Sequence, residues 1–291
     1  MKFLILFIAL MVQQQLPVPQ RSTRSRSFAR WLEMWQPHSW FSRIPRHVKY
    51  VLIVVLPTIL VTAAFFFIEK LAWGLVAFAL EILLLLYVLS HSSIQRHLKE
   101  YEHDLQSGDT QGAYHCAEQF LAVPEAVVTD DVNSMNEQVI KALMFRWFEF
   151  FFLVVFWYMV ADVAGVLLAW FSAQYARAGD CDEHARRYLH WLEWLPVRLL
   201  GLTYGLAGNF MRSLPVWKSY LWQRQAGSAD VLFDVASAAL SHNGEQRQWH
   251  SAGDDSNAAV QELQEWQQLH WRSMSIWMVM IAAATVGGWL L

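Results

Sequence analysis

The stretch WLEWLPVRLLGLTYGLAGNF, residues 191–210, is nearly long enough and apolar enough to cross a bilayer, yet its first half carries Glu193, Pro196 and Arg198. At a rise of about 1.5 Å per residue, a helix needs about 20 apolar residues to cover a hydrocarbon core of about 30 Å. The segment can cross, lie on the surface or wall a polar pocket. The choice sets how often the chain passes the membrane and where its polar parts lie.

The composition frames that choice. Of 291 residues, 55% are hydrophobic, 16% are charged and 16 are Trp. A soluble domain carries about a quarter charged residues, so the apolar and aromatic excess points to a multi-span membrane protein. The net charge of −3 supplies no basic footprint for nucleic acid. Two cysteines, Cys116 and Cys181, make no disulfide framework.

Length and hydropathy predict four strong spans, at residues 50–68, 71–90, 147–171 and 273–291. Pro57 is a tolerated kink in the first, and Glu69 and Lys70 leave room only for a tight hairpin before the second. Trp147 and Trp170 near the ends of the third read as interfacial anchors. The opening MKFLILFIALMV spans only about 18 Å as a helix, too little to cross. Gln13, Gln14, Gln15 and Pro17 follow it without a small-residue cleavage pattern, so it reads as an uncleaved half-span or interfacial helix. Residues 91–146 and 211–272 are polar and read as helical loops, the first broken near Gly108 and Pro124.

Charge bias bears on 191–210. With the N-terminus inside and four spans, the two sides hold 12 and 10 Lys and Arg. If 191–210 also crosses, the inside holds 17 and the outside 4, with Arg198 in the membrane. Short cytoplasmic segments are enriched in Lys and Arg, so the five-span layout fits better. The expected organisation is then 1–90 (short apolar helix, basic segment, spans one and two), 91–146 (cytoplasmic), 147–210 (spans three and four), 211–272 (amphipathic loop) and 273–291 (last span).

Polar groups at membrane depth mark candidate function. Glu81 sits near the middle of the second span and Asp162 just past the middle of the third. An acid or Arg at the bilayer centre costs roughly 2.5–3.5 kcal/mol on insertion scales, so it normally faces a partner or a water-filled cavity. The expectation is a cluster of Glu81, Asp162 and Arg198 inside the bundle, with Glu193 nearer the surface, holding a small polar ligand. Pairing that serves the fold alone is the plainer alternative. Helical spacing places Arg198, Gly201, Gly205 and Gly208 within about 80° of one another. This small-residue stripe, including the GxxxG at 201–205, predicts a groove for a second helix.

Other chemistry finds little support. No P-loop, G-x-S-x-G or HExxH occurs, and the glycines at 201–208 follow no strand. His91, His97 and His103 recur every six residues, which is not a same-face spacing. Those histidines, and the run Cys181, Asp182, Glu183, His184, read as solvated faces. No metal or cofactor is expected.

Several residues together resemble the AmpE family of inner-membrane proteins, which are linked to β-lactamase induction. YLHWLEWLPVRLLGLTYGLAGNF at 188–210 is similar to that family's pattern of acid, aromatic, apolar residue, Pro, small residue, Arg and Leu. It maps the acid onto Glu193, where the family usually has Asp, with Pro196 and Arg198 following. FEFFFLVVFWYMV at 148–160 resembles its Phe-rich segment, and Gly108-Asp109 before Ala113 its Gly-Asp ahead of an Ala-rich helix. After Phe-Trp-Tyr the family tends to have Gly-Pro, where this chain has Ala161-Asp162, and after the second span Gly-Arg, where this chain has Ser90-His91.

The acid-x-x-Pro-x-Arg-Leu element also resembles the CobD/CbiB family, which makes adenosylcobinamide phosphate by ATP-linked amide formation. The Val-Gly-Arg-Asp-Thr and Asn-Thr-x-Asp-Ser segments of that family are missing from FLAVPEAVVTDDVN and WFSAQYARAG.

The resemblance implies an all-α, polytopic membrane helical bundle with helical cytoplasmic segments, in the bacterial inner membrane with a cytoplasmic N-terminus. It implies a non-catalytic regulatory or signalling protein linked to β-lactamase induction and muropeptide sensing or recycling. A membrane-bound synthase with altered chemistry is the alternative, and a transporter the third reading. Expected partners are the lipid bilayer, a second copy or other inner-membrane and cell-wall-recycling proteins, and a small polar ligand.

Overall fold

The computed structural model describes residues 2–15, 22–35, 44–71, 74–89, 92–118, 132–177, 183–240 and 255–287, and among them every regular element is a helix. Contacts divide the chain into two compact units. One comprises Met1–Ser90, Phe150–Glu193 and Ala284–Leu291, and the other His91–Glu149 and Trp194–Ala283.

The first unit is built of apolar helices. It begins with α1 (Lys2–Gln15) and α2 (Ser22–Trp35). The short α3 (Arg46–Tyr50) runs through a π-helical segment, Val51–Val55, into α4 (Leu56–Leu71). Then come α5 (Leu75–Leu89) and the bulk of the long helical stretch at 148–177. α1 packs on α5, and α4 packs on α5. Ile59, Leu60, Phe66 and Phe67 of α4 stay exposed, while Ile53 and Val54 of the preceding segment are buried. An outward apolar face on an apolar helix is what lipid contact requires and water does not favour.

Aromatic side chains close one part of this unit. Phe28 and Leu32 of α2 are buried with Tyr50, Ile53 and Val54, and Phe171, Tyr175 and Tyr188 pack against them. Tyr50 lies 4.4 Å from Tyr188 between ring centres, and its hydroxyl shares a 2.8 Å hydrogen bond with Ser172. Pro57 has no N–H to give the Ile53 carbonyl four residues back. The indole N–H of Trp31 points at that carbonyl from 3.4 Å.

Two helices among the described residues are long and apolar enough to cross a membrane, Arg46–Ile68 and Ser134–Arg177, and Val76–Leu89 is apolar but shorter. The predicted third span is not one straight rod. A helix runs from α8 (Val132–Trp147) through the π-helical Phe148–Phe152 into α9 (Leu153–Arg177), which breaks at Ala161 (φ −136°, ψ 22°) and Asp162 (φ 52°, ψ −148°). A Cβ on Gly165 would lie 2.6 Å from the Trp157 carbonyl oxygen. Eight residues of straight helix span about 12 Å, so the two legs of α9 bend back toward each other and Gly165 permits the contact. The bend falls where the resembled family carries Gly-Pro.

The second unit collects the two polar stretches. It contains α6 (Ser92–Gln106), α7 (Thr110–Cys116), α8, the later part of α10 (Glu183–Ala207), α11 (Phe210–Leu221), α12 (Ser228–Leu240) and most of α13 (Asp255–Val286). Gly108, at φ +75°, ends α6, and the Asp109 carboxylate accepts from Gly112 N–H at 2.8 Å to cap α7. Asn209 caps α11 by accepting from Arg212 N–H, while its own N–H donates to the Ala239 carbonyl at 2.8 Å. The core buries Tyr101, Val139, Ile140, Tyr204, Val235 and Trp266. α12 packs on both α8 and α11.

Candidate functional site

α10 holds the element that carries the resemblance, and its chemistry follows from one missing proton donor. Pro196 lies inside the helix and is buried, so the Leu192 carbonyl loses its usual donor. The indole N–H of Trp157 donates to that carbonyl at 3.2 Å. A buried carbonyl left unpaired costs about 1–3 kcal/mol, so Trp157 restores what the proline removes. Trp31 meets the acceptor vacated by Pro57 in the same way. This arrangement at Trp157 had no signal in the sequence beyond the Phe-Trp-Tyr run.

Arg198 follows two residues later and is buried, at 3% exposure. Its guanidinium donates to three backbone carbonyls. Nη1 reaches Trp194 at 3.0 Å, and Nη2 reaches Tyr220 at 3.1 Å and Gln223 at 2.8 Å. The last two acceptors lie at the C-terminal end of α11, where carbonyls lack helical donors and partial negative charge collects. The guanidinium also sits over the Trp194 ring, 4.4 Å from its centre. In return the Trp217 indole donates to the Arg198 carbonyl at 2.8 Å. Arg198 thus locks α10 to α11 within the second unit.

The glycine stripe faces the same neighbours. A Cβ on Gly201 would meet the Trp217 ring at 3.3 Å, one on Gly205 the Ser213 hydroxyl at 2.5 Å, and one on Gly208 the Ala239 carbonyl oxygen at 2.6 Å. These positions admit α11 and α12 at close range.

The acids expected in the cluster fall in the first unit. Glu81 is half-buried and accepts a hydrogen bond from the Tyr158 hydroxyl at 3.1 Å. Asp162 is exposed and sits at the break of α9, four residues after Tyr158. Glu193 is buried on α10. Arg198 belongs to the second unit, so the structure brings Glu81 to Tyr158 and Arg198 to helix-end carbonyls.

A second polar cluster carries no mark in the sequence. His270 of α13 stacks on Trp147 at 4.5 Å between ring centres and shares a 3.1 Å hydrogen bond between its Nδ1 and the Tyr204 hydroxyl. Burial pushes the His270 pKa down to about 3, so the ring is neutral at physiological pH. Thr203, next to Tyr204, accepts from the Trp277 indole at 3.2 Å. Tyr220 donates to Asp234, and that hydrogen bond, ahead of burial, pushes its phenol up to about 12. The Cys116 thiol donates to the His97 carbonyl and is raised to about 11, chiefly by burial, which makes it a poor nucleophile. Cys181 and Asp182, two members of the acidic run in the sequence, lie outside the described residues.

The chain is similar to the cobalamin biosynthesis protein CobD of Stutzerimonas stutzeri (strain A1501), 24% identical over 185 residues, which cover 56% of this chain and 60% of that one. It is also similar to Protein AmpE of Shigella flexneri, 30% identical over 125 residues, covering 38% of this chain and 43% of that one. The chain thus aligns with roughly half the length of these curated relatives. No solved structure matches it. Residues 24–260, which take in the bent α9, the Pro196–Arg198 element and the glycine stripe, match the family described as regulatory signalling modulator protein AmpE, and the chain belongs to that family.

Proposed function

We propose that this membrane regulatory protein is a non-catalytic, multi-pass component of the bacterial inner membrane. In this reading it takes part in β-lactamase induction and the sensing or recycling of cell-wall fragments. In the same reading Glu81, which accepts from Tyr158, and Asp162 at the break of α9 would hold a small polar ligand.

The observation that carries the non-catalytic reading is the use made of Arg198. Three of its donor contacts go to backbone carbonyls, and the neighbouring Pro196 is accommodated by Trp157. The element that resembles the synthase family thus serves to join helices. A scaffold can keep that role without keeping a synthase's chemistry.

The reading keeps the N-terminus cytoplasmic, with residues 91–146 and 211–272 on the same side.

The test is deletion of the gene, followed by measurement of β-lactamase induction and muropeptide pools. Complementation with the wild type should restore both, and complementation with an E81Q/D162N variant should not. Purified protein should neither bind ATP tightly nor turn it over. Unchanged induction and pools, together with ATP-dependent amide formation, would replace this reading with a membrane-bound synthase.

A further inference from the structure

α11 (Phe210–Leu221) carries an outward stripe that none of the chemistry above uses. Met211, Pro215, Lys218 and Trp222 are spaced by four, three and four residues, which puts them within about 60° of one another on a helix. All four are exposed, Met211 at 81% and Trp222 at 86%. The opposite side of the helix is committed: Ser213 is buried, Trp217 bonds the Arg198 carbonyl and Tyr220 bonds Asp234. Large apolar groups at both ends of a helix, with a cation between them, do not suit bulk water.

We propose that this stripe lies on the surface of an anionic lipid leaflet. Charge complementarity selects the occupant. From residue 194 to 229 the chain has no Asp or Glu, and Lys218 and Arg224 are its exposed cations there. The acids of the helix packed behind α11 are turned to other work, Asp230 to Lys141 and Asp234 to Tyr220. Met and Trp enter the headgroup–acyl boundary, and Lys and Arg meet phosphate and carboxylate headgroups, the pattern of an interfacial helix. A second copy fits worse, because a two-fold contact through this stripe would set Lys218 against Lys218. The inference rests on the membrane reading of the first unit and is independent of the signalling role.

Hydrogen exchange of the full-length protein in nanodiscs tests it. Discs of zwitterionic phosphatidylcholine alone are compared with discs containing 30% phosphatidylglycerol. Amides of residues 210–224 should exchange roughly tenfold more slowly in the anionic discs, and 0.5 M salt should remove most of the difference. A K218E/R224E variant should lose it, at about threefold per cation. Peptides from α4 (Leu56–Leu71) should stay protected in every disc, which confirms that the protein is embedded and its variants folded. Equal exchange at 210–224 in both lipids, with α4 protected, overturns the proposal and leaves the membrane reading intact. Protection that appears in detergent and grows with protein concentration overturns it in favour of a second copy.

Discussion

The indole of Trp157 donates a hydrogen bond to the Leu192 carbonyl, the acceptor that Pro196 leaves without a helical donor. The two residues are therefore energetically coupled through a third. W157F should destabilise the protein in mild detergent by about 1–3 kcal/mol, because it strands a part-buried carbonyl. P196A restores an N–H to α10, so adding it to W157F should recover about 1 kcal/mol or more. Strictly additive effects in that double-mutant cycle would show that the indole does not replace the proline's donor.

Arg198 is predicted to act as a fork and not as a point charge. Its guanidinium reaches Trp194, Tyr220 and Gln223 together, a geometry that an ammonium cannot copy. R198M should cost about 2–5 kcal/mol, and R198K should recover less than half of that loss. Hydrogen exchange should quicken at residues 220–225 in both. Wild-type behaviour of R198K would contradict the account.

The glycines should rank by what a methyl group meets. G208A drives Cβ against the Ala239 backbone oxygen, which cannot step aside, and should cost about 1–3 kcal/mol. G205A meets the Ser213 hydroxyl, which can rotate, and G201A only brushes the Trp217 ring. Thermal unfolding should therefore place G208A below G205A and G205A below G201A. A reversed order would rule out the close approach of Gly208 to Ala239.

Asp162 occupies backbone that favours glycine, at φ 52° and ψ −148°. D162G should raise stability by about 1 kcal/mol by relieving that strain. A loss of stability instead would mean that the carboxylate itself holds the bend of α9 together.

His270 gives the fold an acid limit. Its folded pKa lies near 3, below the ordinary histidine value of about 6.5. The unfolded chain therefore takes up a proton between these values while the folded one does not. Stability is complete above about pH 6.5 and falls by roughly 1 kcal/mol per pH unit below it. H270F, which keeps the ring against Trp147, should flatten that limb of the curve. An unchanged acid limb would assign the effect to other groups.

How much of this is legible in the sequence depends on whether the partner leaves a mark there. The apolar run at 50–68 declares itself by composition, and Gly108-Asp109 declares a helix end and a cap by the conformational freedom of one and the short carboxylate of the other. The bend at Ala161–Asp162 is hidden, because MVADVAGVLL reads as continuous apolar helix and only Gly165 hints at a close approach. Arg198 and the glycine stripe are visible as special residues, but their partners are not. Backbone carbonyls at Tyr220, Gln223 and Ala239 exist at every position and carry no signature. His270 and Tyr204 are unremarkable in sequence, 66 positions apart, and only the fold brings them together.

Residues His91–Glu149 and Trp194–Ala283 form one compact helical unit, so the polar stretches 91–146 and 211–272 must lie on the same side of any membrane the chain enters. The most direct measurement uses the exposed positions Ser107 and Gln225, each replaced by Cys in a C116S/C181S background and treated with a membrane-impermeant thiol reagent. The account predicts that both label in inside-out vesicles and that neither labels in intact, right-side-out ones. Labelling of the two positions from opposite sides would contradict it.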